Sequence, residues 1–265
     1  MSTMRGTPVA RGLASAIAAI IVTLSTATPP AAEDTRAPQP STRQDPRLPA
    51  GVGQNGVPIA IIGPGVDYRD AKIGECLARD GEGVLVGWDF VDSDIRPFRA
   101  RRADELATFA KRVCGQAEGA TNVSAIVFRT DGTNIAHLGE AIGFAVQTPA
   151  RIVVYDHTAP NADTVRYLSI AARAVTDRVF IVSKPISSGK NATAVTPMPR
   201  NLIVIETNRA DAGDTTARRA KVTMQFAAAL KDNPKLPMAD WLAAFADATQ
   251  SSAGRAPAGA KEPSK

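Results

Sequence analysis

Six short aliphatic runs of this chain, most of them apolar on both faces, narrow the available folds more than any other feature. They are PIAII (58–62), GVLVGWDF (83–90), SAIVF (124–128), RIVVY (151–155), RVFIVS (178–183) and LIVIE (202–206). A strand with one wet face alternates apolar and polar residues, whereas a strand covered by helices on each side stays apolar throughout. Helix-length segments separate the runs. RRADELATFAKRVC (101–114) places Leu106, Phe109 and Val113 at helical spacing. TNIAHLGEAIGFAV (133–146) does the same with Ile135, Leu138 and Ile142, while Gly139 and Gly143 allow close backbone approach. DTVRYLSIAARAV (163–175) and TARRAKVTMQFAAALK (216–231) supply two further helices, and PMADWLAAFADAT (237–249) opens with Pro237, suited to a first helical turn. The alternation predicts an α/β domain: a three-layer sandwich with a mostly parallel sheet. In such sheets the working loops lie beyond the carboxyl ends of the strands.

The flanks read differently. Residues 1–32 have the pattern of a signal peptide: Arg5 and Arg11 precede LASAIAAIIVTLSTA, and small residues follow. That apolar core, about 15 residues, is short for a bilayer span. Cleavage after Ala27 or Ala32 would release a secreted or periplasmic chain; an uncleaved N-terminal anchor is the other reading. Residues 33–56, rich in Pro, Gly and charge, read as a disordered linker or pro-segment. Residues 249–265 read as a disordered tail. The folded body is then 57–248, long enough for one domain with its own core.

Composition excludes several functions. The net charge is +5, of which Arg5 and Arg11 account for two, and aromatics make up 5% of the chain. With no dense Lys/Arg run, nucleic-acid binding has little support. Two cysteines and two histidines show no metal-ligand spacing. Cys76 and Cys114 are either one disulfide or two buried thiols.

Several segments, in order from about residue 57 to 246, resemble the subtilisin-like serine peptidase family. IAIIGPGVDY (59–68) is similar to the strand and turn that carry that family's catalytic Asp, and GWDFVDSDIRP (87–97) to the Asp-Phe segment that follows. DGTNIAHLGEAI (131–142) resembles the His-Gly-Thr opening of the catalytic histidine helix. VFIVSKPISSGKN (179–191) and MPRNLIVIETN (198–208) resemble the oxyanion-hole strand and loop and the strand after it. DTTARRAKVTMQFAAALKDNPKLPMADWLAAF (214–245) resembles the nucleophile helix, Gly-Thr-Ser-x-Ala, with its successor.

At each chemical position the chain departs from that pattern. Gly63 stands in place of the catalytic Asp, Asp131 in place of the His, and Thr216 in place of the Ser, with Asp214 replacing the preceding Gly. Ser187 falls near the oxyanion Asn. One strand and helix that the resemblance implies before the oxyanion strand are also missing. A triad needs a base of near-neutral pKa, and an aspartate, with a reference value of about 3.9, is a poor one for a hydroxyl. Because such groups act as a unit, losing one costs about as much as losing all. The resemblance therefore implies an exported pseudopeptidase that binds peptide or protein, with no cofactor and no catalytic residue at these positions.

Two other readings stand beside it. Asp131 and Thr216, with Glu140 nearby, form a crude carboxylate–hydroxyl pair for a substituted hydrolase; alternatively Asp131 caps its helix and Thr216 begins the next. A Rossmann-like small-ligand domain would use Gly63-Pro64-Gly65 as a phosphate turn. That turn lacks G-x-G-x-x-G spacing, and Pro64 removes a backbone donor. His137 reads as structural and His157, in YDHTAPN, as a solvated loop residue. Arg218, Arg219 and Lys221 crowd a helix start, where the macrodipole disfavours cations. They are expected to be solvated or paired internally, with an anionic ligand as the other explanation.

Overall fold

The computed structural model describes residue 46 and residues 56–99, 108–115, 121–157, 160–184, 197–206 and 212–243. The expected signal segment, the linker apart from residues 46 and 56, the tail and Ser187 lie outside these residues. Strands β1 (Val57–Gly63), β2 (Gly87–Asp89), β3 (Val123–Arg129), β4 (Ile152–Tyr155), β5 (Val179–Ser183) and β6 (Leu202–Ile205) form one sheet, in the order β2-β3-β1-β4-β5-β6. Every pairing is parallel. Pro58 sits where it does no harm: β1 pairs with β3 from Val57 but with β4 only from Ile59, so the residue without an N–H precedes the doubly bonded stretch.

Helices cover both faces. Ile59, Ile61, Val127, Val154 and Ile181 pack in one cluster with residues of α1 (Ala71–Cys76), α2 (Phe109–Cys114) and α5 (Ala212–Asp232). Their alternating neighbours Ala60, Ile62, Phe128, Val153 and Phe180 pack with α3 (Ile135–Ala145) and α4 (Ala162–Ala174). The apolar-both-faces pattern thus has its expected cause, and the α/β three-layer architecture follows.

Some boundaries differ from expectation for local reasons. The run 83–90 contributes only three residues to β2, because Asp80 Oδ1 accepts from the N–H groups of Glu82 and Val84 and folds a tight turn. A single antiparallel bridge, Arg79 to Leu85, closes that turn. Within the segment 101–114, α2 begins at Phe109, since Thr108 is extended and its hydroxyl caps Lys111 N–H at 3.2 Å; the part of the expected helix over 101–107 lies outside the described residues. Helix α1, too short and Gly-interrupted to show a period, is capped by Asp70. Beyond α5, residues 238–243 are helical. They bury Trp241 edge-on against Phe226, with ring centroids 4.6 Å apart.

The cysteine question resolves as a disulfide. Cys76 and Cys114 are bonded, joining the ends of α1 and α2 across 38 residues of sequence.

Candidate functional site at the carboxyl edge of the sheet

The strand order reverses direction between β1 and β4. From β1 the chain crosses to β2 on one side, and from β4 it continues to β5 and β6 on the other. A crevice at the carboxyl ends of the strands is expected at such a point. Gly63 ends β1 there. Its carbonyl accepts from Thr130 N–H at 2.8 Å, and the carbonyl before it, of Ile62, accepts from Asp156 N–H at 2.7 Å. Gly63 is therefore flanked by the exit from β3, which leads into Asp131, and the exit from β4, which leads into Asp156 and His157.

Helix α5 reaches the same edge through Arg219, only 2% exposed. Its guanidinium pairs with the Asp156 carboxylate, donates to Ser183 Oγ at 2.9 Å and to the Tyr155 carbonyl at 3.3 Å, and lies over the Phe109 ring at 5.3 Å from its centroid. Of the three cations near this helix start, Arg219 is paired internally, while Arg218 and Lys221 are exposed. The helix itself begins at Ala212, so Thr216 lies in its second turn and does not start it. Gly63 is closed in by the same ion pair: a Cβ on Gly63 would lie 3.0 Å from Asp156 Cβ. A side chain at Gly63 would press on the carboxylate that Arg219 holds.

Asp131 is exposed and its Oδ1 accepts from the N–H groups of Thr133 at 3.0 Å and Asn134 at 2.9 Å. The cap of α3 is Asn134, which accepts from Ala136 N–H; Asp131 instead fixes the turn before the helix. The Asn134 N–H, foremost among its partners, holds the Asp131 carboxyl below its ordinary range. A carboxylate so stabilised is a weaker base than a free one. Among the described residues, no hydrogen bond joins Asp131 to Thr216. The structure thus places Gly63, Asp131 and the start of α5 at one edge without forming a proton relay among them.

His157 is not the solvated loop residue expected. Its ring is half-buried, with Nε2 2.8 Å from Thr130 Oγ1 and its centroid 5.1 Å from that of Tyr155. Burial pushes its pKa down to about 4. The Thr130–His157 contact has the form of a nucleophile–base pair, but Thr130 is buried and an imidazole of such low pKa accepts protons poorly at neutral pH. His137 is half-buried and stacks on Phe90 with centroids 6.1 Å apart, a structural position.

A second charged cluster was not foreseen. Arg129, ending β3, pairs with Asp89 Oδ2 at 2.6 Å and with Asp92. Asp89 is fully buried; its Oδ1 accepts from the N–H groups of Val91 and Asp92, while burial raises its pKa against the pull of Arg129. The available signal was position: Asp89, Arg129 and Asp156 each lie at the carboxyl end of an apolar run, where a charge meets the sheet's edge.

Among the described residues no cluster of His, Cys, Asp and Glu suits a metal ion, and no helix is long and apolar enough to cross a membrane. The chain matches no protein-family model and no curated protein.

Proposed function

We propose that this chain is an exported subtilisin-like pseudopeptidase: an α/β domain whose carboxyl edge binds an extended peptide or protein segment without cleaving it. The observation that carries the reading is the Asp156–Arg219 pair packed against Gly63. The resemblance puts a triad carboxylate at Gly63, and here that ground is held by an internal ion pair that neutralises itself. Asp131, in the histidine's place, is held ionised by backbone donors and, among the described residues, has no hydrogen bond to Thr216. Export is supported by the signal-like start and by the Cys76–Cys114 disulfide, which persists in oxidising compartments.

The test is hydrolysis of casein and of fluorogenic peptides between pH 3 and 9, beside a Thr216→Ala control, with amide shift perturbation by unlabelled casein peptides read in parallel. The expected result is no turnover above the control and shifts confined to residues 63–69, 130–134 and 156–157. Turnover that disappears in Thr216→Ala overturns the reading in favour of the substituted hydrolase. Shifts scattered elsewhere overturn the assignment of the binding edge.

A further inference from the structure

The two loops that leave β3 and β4 are held together by one aromatic wedge. Gly132 adopts φ +80°, and a Cβ on it would fall 2.6 Å from His157 Nδ1. The imidazole thus occupies the room a side chain at 132 would need. Its other nitrogen meets the Thr130 hydroxyl, and the neighbouring Tyr155 hydroxyl donates to the Gly132 carbonyl at 3.2 Å. Both contacts span the gap between the two strand ends. Removing the ring from this slot would leave the turn 130–134, and with it Asp131 and the start of α3, tied to the end of β4, among the described residues, through the Tyr155 hydroxyl alone.

We propose that His157 is an acid-released latch: the neutral imidazole pins the turn 130–134 against the end of β4, and protonation frees that turn. The charged groups facing the ring come from three directions. Asp131, in the turn itself, favours the cation; Arg99, beyond β2, and Arg219, from α5, oppose it. Immediately before the ring in the chain, Asp156 is engaged by Arg219, and Tyr155, ending β4, presents a neutral phenol. Burial is the largest influence and also opposes the cation, so the closed state takes up a proton only near pH 4.

The sign follows directly. A free histidine titrates near 6.5, so between about 6.5 and 4 the open turn binds a proton that the closed turn does not. Closure is fully stable above about 6.5 and weakens as pH falls through that window. Over the range 7.5 to 4 the opening equilibrium should rise about 100-fold. This device is independent of whether the edge binds peptide, because it is read on the unliganded protein.

Hydrogen exchange of the segment 130–134, corrected for intrinsic rates, should show that increase between pH 7.5 and 4. It should persist in His137→Gln and fall to a few-fold in His157→Gln, whose neutral amide still reaches Thr130. The chain has two histidines, so His137→Gln also leaves a single imidazole to titrate by NMR. A titration centred near 4 is expected. A titration at 6 to 7, or an equal exchange profile in His157→Gln, overturns the latch. Were His157→Gln not to fold, the single-imidazole titration would still decide.

Discussion

Asp156→Ala should lower the unfolding free energy by about 3–5 kcal/mol, read as an earlier urea midpoint at unchanged slope. The cost comes from what is left behind. With Asp156 gone, the Arg219 guanidinium, 2% exposed in the intact protein, keeps among the described residues only its bonds to Ser183 Oγ and the Tyr155 carbonyl and its place on Phe109. Neither neutral acceptor compensates a buried cation. Arg219→Met should cost clearly less. It removes the buried charge, and the Asp156 side chain, 12% exposed, can be hydrated or take up a proton. Combining the two should recover part of the Asp156→Ala loss, the signature of direct coupling. A loss below about 1 kcal/mol for Asp156→Ala would mean that water already screens the pair, as at exposed ion pairs.

The second large effect belongs to the disulfide. Replacing both Cys76 and Cys114 with Ser should cost about 2–4 kcal/mol, because the unfolded chain regains the freedom of a loop of 38 residues. In a domain of this size that corresponds to a fall in Tm of roughly 5–15 °C. The consequence extends to the candidate site. Cys114 ends α2, α2 begins with Phe109, and the Phe109 ring covers Arg219. Amides of α2 and of the first half of α5 should therefore lose protection first. Calorimetry with and without reductant checks the first and amide hydrogen exchange the second: an unchanged Tm under full reduction would show that α2 is held by packing alone.

Much of the architecture was legible because burial on both faces writes itself locally. Each strand-forming run except 83–90 lies within a residue or so of its strand. The run at 83–90 misleads because Val84 and Leu85 are as β-prone as their neighbours, while the Asp80 carboxylate dictates the turn. Helix α1 went unread since six residues with Gly74 inside them show no stripe. The charged edge was legible only in part. That Gly63, Asp131 and the start of α5 share one end of the sheet follows from strand order. Which cation pairs inward does not follow, since Arg218 and Arg219 are adjacent and their partner lies more than 60 residues earlier. Only helix phase, set by the packing of Phe226 and Leu230, turns Arg219 in and Arg218 out. His157 was misjudged for a similar reason. A loop histidine is normally wet, and the slot that buries this one is made by Gly132 of another loop.

The central claim is that the carboxyl edge holds hydroxyl groups but no base able to activate them. Incubation with a fluorophosphonate, which labels a hydroxyl only where a neighbouring base withdraws its proton, addresses that claim most directly when followed by peptide mass mapping. The account predicts no adduct on Thr216, Thr130 or any other hydroxyl between pH 5 and 8. A stoichiometric adduct on Thr216 that vanishes in Asp131→Asn would contradict it.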